Sequence, residues 1–226
     1  MNQPFAASQA SASRVIAYID GFNLYHGLRD AGWRWAYWLD MAALAKNLLK
    51  PEQTLVFTKY FTARIAGPKP ADSAAKARRL ADKRQRQTAY LDALATLADF
   101  QMFEGHYLAK ERSCHTCGAQ WTTHEEKMTD VSIATELLVD AFQDAFDTAL
   151  LISADSDLTP PTLAVRQFFP GKRIVAAFPP KRSSVQLKRA ANASFTIGRG
   201  KLKQSLLPGQ VTLPNGHVIT RPARWQ

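Results

Sequence analysis

Apolar runs and helical stretches alternate along this chain, and that alternation limits the folds open to it. The runs are VIAYI (15–19), LVFTKYF (55–61), FQMFEGHYL (100–108), ALLIS (149–153) and RIVAAF (173–178), with SFTI (194–197) as a short edge candidate. Helical patterns lie near 22–30, 40–49, 73–98, 129–146, 159–169 and 183–191. Strands separated by helices are joined by crossovers, which build parallel pairs and place helices on both faces of the sheet. The expected fold is α/β: a three-layer α/β/α sandwich around a central, mostly parallel sheet. A chain of 226 residues, 46% of them hydrophobic, suffices for one such domain with appendages. After Gly200 the character changes, and Pro-Asn-Gly between two short apolar runs predicts a hairpin or extended tail over 200–226, laid on the domain.

Composition narrows the function classes. The apolar runs fall far short of the roughly 20 residues that a membrane-crossing helix needs. The opening MNQPFAASQASAS has no basic region and no long apolar stretch, so residues 1–13 read as a disordered lead. Two cysteines in a CxxC pattern do not make a disulfide framework, and a cytoplasmic location is the expectation. The net charge of +10 favours polyanionic partners, nucleic acid first, although many basic proteins have no such partner.

The acids carry more chemistry. In this class of fold, reacting groups sit beyond the carboxyl ends of the strands. Asp20 and Asn23 follow the first run, and Asp155 and Asp157 (SADSD) follow another. Asp130 lies four residues before Ala134 and seven before Leu137, on the apolar face of the 129–146 helix with Ile133, Leu138, Ala141, Phe142 and Ala145. Asp130 then either caps that helix or joins the strand-end acids in one crevice. A cluster of Asp20, Asp130, Asp155 and Asp157 without Cys or His companions suits one or two Mg²⁺ or Mn²⁺ ions. Bound there, such ions activate water and stabilise a phosphodiester's leaving oxygen. Asn23 either orients a phosphate or ribose, or serves as a turn or cap residue.

Three blocks, IDGFNL (19–24), EKMTDV (126–131) and ISADSDLTPPTLAVRQFFPGKRIV (152–175), resemble the signature blocks of NYN domains, in the LabA-like branch of the PIN-like nuclease superfamily. The similarity runs from about Arg14 to Arg199, and the segment after it resembles a tail found in bacterial members. The resemblance implies a PIN-like α/β/α domain over 14–199 and metal-dependent ribonuclease chemistry. It maps family acids onto Asp20, Asp130, Asp155 and Asp157, and the family amide onto Asn23. Ala154 and Leu158 replace the usual Gly and Phe, and every acid is kept.

Basic and aromatic groups supply candidate contacts. Lys76, Arg78, Arg79, Lys83, Arg84 and Arg86 crowd one helix, either as a phosphate grip or as a solvated face. Lys127 precedes Asp130 by one turn, and with Asn23, Arg79 and Arg84 it completes the expected substrate-binding set. Lys172, Arg173, Lys181, Arg182, Lys188 and Arg189 form a second basic group, expected near the later strand ends. Trp33, Arg34, Trp35, Tyr37 and Trp38 either pack as core or stack on bases. CHTCG (114–118) has the spacing of half a zinc site, which Cys114, Cys117 and His124, or His106 or His115, would complete. The alternative is a pair of free loop thiols.

The expected function is a Mg²⁺- or Mn²⁺-dependent endoribonuclease acting on RNA, single-stranded RNA in particular, from a chain that forms a homo-oligomer or stands alone. The alternatives are a non-catalytic RNA-binding or regulatory module that keeps the acidic pocket, and a haloacid-dehalogenase-like phosphatase. The phosphatase needs a second Asp two residues after the first, where this chain has Phe22.

Overall fold

The computed structural model describes residues 12–70 and 72–226, without the side chains of 106–112 and 121–127. Most of the expected N-terminal lead, 1–11, lies outside the described residues. β1 (Ser13–Asp20) runs through the middle of the sheet and is buried from Val15 onward. To one side lie β2 (Gln53–Ala63), β3 (Phe100–Ser113) and β4 (Gln120–Lys127); to the other lie β5 (Thr148–Ile152), β6 (Arg173–Phe178) and β7 (Ala193–Thr196). The order is β4-β3-β2-β1-β5-β6-β7, parallel throughout except for β4, which pairs antiparallel with β3. The chain works outward from β1 in one direction, then returns to β5 and works outward in the other. Between β1 and β5 is therefore the topological switch point, where such sheets open a crevice at their carboxyl ends.

The period of two along each strand divides the core into two layers. Val15, Ala17 and Ile19 pack with Leu24 and Leu28 of α1 (Gly21–Asp30), Leu44 of α2 (Met41–Leu48) and Leu91 of α3 (Ala74–Leu94). Ile16 and Tyr18 pack on the other face with Ile133 and Leu137 of α4 (Thr129–Phe142), Val165 of α5 (Thr159–Phe168) and Leu187 of α6 (Val185–Ala190). Asp20 shares the parity of Ile16 and Tyr18, so it belongs to the α4 side. Beneath it a charged network ties that helix to the sheet. Lys59 of β2 donates to Glu136 at 2.6 Å and to Asp140 at 2.9 Å, and the Tyr18 hydroxyl donates to Asp140 at 2.5 Å.

The three-layer sandwich and mostly parallel sheet match the expectation, as does a C-terminal hairpin of β8 (Gln210–Thr212) and β9 (Val218–Thr220). A short helix, α7 (Arg199–Lys203), leads into it. The tail is fixed by the Trp38 indole N–H, which donates to the Pro208 carbonyl at 2.8 Å, and by Arg221, which donates to the Trp35 carbonyl at 2.7 Å.

Three local expectations change. β3 runs on to Ser113 and β4 follows, so CHTCG is the tip of a hairpin; the polar end of β3 and the polar β4 give little apolar signal. α4 stops at Phe142, with Leu138 36% exposed and Phe142 81% exposed, because Asp140 occupies the inward position that those residues were expected to share. Lys172 and Arg173 lie at the start of β6, the end of the sheet opposite the crevice. There Lys172 is buried against Asp144 and donates to the Phe146 carbonyl at 2.6 Å, so it serves the fold.

Candidate active site

Asp20 ends β1 and is 3% exposed. Its Oδ1 accepts the Asn23 backbone N–H at 2.9 Å, which makes Asp20 the N-cap of α1. Its Oδ2 accepts the Ser153 hydroxyl proton at 2.8 Å. Gly21 is required next to it, because a Cβ there would lie 2.7 Å from the Phe61 carbonyl oxygen and 2.6 Å from the Tyr60 hydroxyl. The first turn of α1 is thereby pressed onto β2, and Asp20 cannot drift from the strand end.

Asn23 is buried, and its side-chain oxygen accepts the Ala154 backbone N–H at 3.1 Å. It thus ties α1 to the loop after β5. In that loop the Asp155 N–H donates to Ser153 Oγ at 3.0 Å, and Asp155 Oδ1 accepts the Asp157 N–H at 2.9 Å. Ser153, fully buried, links Asp20 to Asp155. Sequence reasoning gave it no role, although a hydroxyl at the end of the apolar run ALLI is a signal of that kind.

Asp130, in the first turn of α4, completes the group. Asp20, Asp130 and Asp155 each bring a carboxylate oxygen within 4.8 Å of the others. Asp157 is exposed and stands outside this trio, near enough that its charge raises the Asp130 carboxyl. Burial lifts Asp20 to about 6, and the charges of Asp130 and Asp155 push the same way against the hydrogen bonds from Asn23 and Ser153. Asp130 is raised by its partial burial first and by Asp155 and Asp157 next. Among the described residues no ion pair reaches Asp20, Asp130 or Asp155. Oxygen-only donors that converge and repel one another, with no side-chain cation paired to them among the described residues, fit a hard divalent ion.

The other expected contacts are dispersed. Arg79 lines a cavity between α1 and α3, whereas Arg84 lies over Gly67. Lys127, His106 and His124 fall among the side chains outside the described set. Cys114 and Cys117 are free thiols at the hairpin tip, and backbone N–H groups of Cys117 and Thr116 lower the Cys114 thiol. Trp38 is fully buried as core, while Trp33 and Trp35 are half-buried beneath the Arg199 guanidinium, 5.9 and 5.8 Å from the ring centres.

A Rossmann-like sheet with three carboxylates at its switch point fits the PIN-like class of metal-dependent nucleases. The NYN domain family model matches residues 14–198, and the chain belongs to that family. Among curated proteins it is similar to 6-hydroxy-3-succinoylpyridine 3-monooxygenase HspA of Pseudomonas putida (strain DSM 28022 / S16), at 27% identity over 186 residues. That match takes in 68% of this chain and 55% of the relative, so the chain spans about half the relative's length. Among solved structures it is similar to VPA0982, a protein of unknown function from Vibrio parahaemolyticus RIMD 2210633, with a TM-score of 0.53 and 18% identity over 89% of this chain and 100% of that one. The second likeness is one of fold. No helix among the described residues is long and apolar enough to cross a membrane.

Proposed function

We propose that the protein is a divalent-metal-dependent endoribonuclease that cleaves single-stranded RNA. The observation that carries this reading is the convergence of Asp20, Asp130 and Asp155 within 4.8 Å at the switch point of an NYN fold. These three would hold Mg²⁺ or Mn²⁺, with exposed Asp157 beside them as a ligand through water or an acceptor for the attacking water's proton. When bound, the ion supplies Lewis-acid stabilisation of phosphate oxygens and a lowered water pKa. Asp20 is the fixed member, since both of its oxygens are already positioned by Asn23 and Ser153. Asp130 and Asp155 are less buried and approach from α4 and the β5 loop, so substrate phosphate meets them first. Asn23 holds the β5 loop through its oxygen and keeps its amide N–H donors for substrate. The net charge of +10 favours a polyanion.

Cleavage of a fluorescent single-stranded RNA with Mn²⁺, with Mg²⁺ and with EDTA tests the reading. The wild type should cleave only with metal, and Asp20→Asn should lower the rate by at least about a hundredfold. Equal cleavage by the variant would remove the assignment. Metal and RNA binding without cleavage would establish the non-catalytic module instead.

A further inference from the structure

On the opposite side of β1 from the carboxylates, α1, α3 and the C-terminal tail enclose a cavity of about 550 Å³. Gly21 and Tyr60, both beside Asp20, form part of its wall, so it adjoins the acid site. Its size lies within the roughly 300–1,000 Å³ usual for small-ligand sites. A larger cavity of about 730 Å³ lies at the other end of the sheet, by α2 and the start of β2, away from the crevice.

The lining of the smaller cavity has a chemical bias. Tyr25, Tyr37 and Trp225 line it with Arg29, Arg34 and Arg224, and α3 adds the cations Arg79, Lys83 and Arg86; no Asp or Glu lines it. Arg79, Lys83 and Arg86 recur at helical spacing along one face of α3, which continues to buried Tyr90. None of the three cations has an ion-pair partner among the described residues, and their charges act on one another: burial, Arg29, Arg79 and Arg86 all lower the Lys83 ammonium. Tyr25 and Tyr37 lie 5.0 Å apart centre to centre, and Trp225 meets Tyr37 edge-on at 5.9 Å. A cluster of cations without acids attracts an anion, and a recess walled by rings accepts a planar one.

We propose that this cavity binds one nucleotide, its base among Tyr25, Tyr37 and Trp225 and its phosphate on Arg79, Lys83 and Arg86. The inference rests on the nuclease reading for its source, an RNA strand whose next phosphodiester lies towards the acids across Gly21 and Tyr60. The shared chemistry, an aromatic ring bearing an anionic group, also describes a free aromatic acid. Trp225 makes the C-terminal tail a wall of the site.

The test is a tryptophan-fluorescence or calorimetric titration of the full chain in EDTA, so that metal-dependent binding at the acids makes no contribution. The probes are UMP, AMP, uridine, inorganic phosphate and nicotinate. The mononucleotides should bind at least about tenfold more tightly than uridine or phosphate alone, because ring and anion are recognised together. Tyr25→Ala and Arg86→Gln, both substitutions at a helix surface, should each weaken UMP by about tenfold, and Lys203→Ala, outside the cavity, should not. Circular dichroism and the melting temperature establish that each variant is folded; Arg79→Gln serves in place of either that is not. Phosphate binding as tightly as UMP, with no effect of Tyr25→Ala, would reduce the cavity to a basic surface. Nicotinate binding more tightly than the nucleotides would overturn the nucleotide in favour of a small aromatic acid. Failure here and failure of the nuclease reading are separable. Nucleotide binding without RNA cleavage keeps the cavity and discards the chemistry, and cleavage without nucleotide binding does the reverse.

Discussion

Each oxygen of Asp20 has its own donor, the Asn23 N–H that starts α1 and the Ser153 hydroxyl that follows β5. One carboxylate thus caps a helix and anchors the acid trio. Asn23, which the sequence leaves open between a substrate contact and a turn or cap residue, accepts the Ala154 N–H through its side-chain oxygen; that partner is 131 residues away and invisible to local reasoning. The lift of the Asp20 carboxyl from 3.8 to about 6 has a thermodynamic consequence. The unfolded chain ionises this group first, so the metal-free protein loses stability as pH rises from about 4 to about 6, and the loss persists above that window. The lift corresponds to about 3 kcal/mol. In EDTA, denaturant titrations should show Asp20→Asn gaining on the wild type by about that amount between pH 4 and pH 7, and Mn²⁺ at pH 7 should erase the gain. A difference that is constant with pH would mean that Asp20 is not held at this cost.

α4 delivers Asp130, and what holds α4 is the network of Lys59, Glu136, Asp140 and Tyr18. Lys59 is 7% exposed and Asp140 is 6% exposed, so removing one partner leaves an uncompensated charge in the core. Lys59→Met should cost about 3–5 kcal/mol in urea unfolding, and Lys59→Met with Asp140→Leu should recover at least half of it. Additive losses in the double variant would show that the groups do not act as a unit. The apolar period placed α4 and put Asp130 on its inner face. It also drew Leu138 and Phe142 inward, since periodicity weighs residue type and cannot know that Asp140 is paired with a lysine from β2. For the same reason β4 went unread: its residues, QWTTHEEK, carry no apolar alternation, and pairing with β3 alone makes them a strand.

At the scale of the molecule, alternating elements were enough to specify the sandwich, and the rule for crevices was enough to bring acids more than a hundred residues apart to one end of the sheet. Two things needed the folded chain. The tail returns Trp225 onto Tyr37, Trp38 and Tyr90, which packs much of the aromatic cluster into the core. The basic residues also divide by position, with Lys172 serving the far end of the sheet and Arg79 facing the cavity by the acids. The central claim is that Asp20, Asp130 and Asp155 form one cation site. Calorimetric titration of Mn²⁺ into the full chain at neutral pH tests it most directly. A saturable site should appear in the wild type, and Asp20→Asn, Asp130→Asn and Asp155→Asn should each weaken it by at least about tenfold. Undiminished Mn²⁺ binding in all three variants, or no saturable binding in the wild type, would contradict the account.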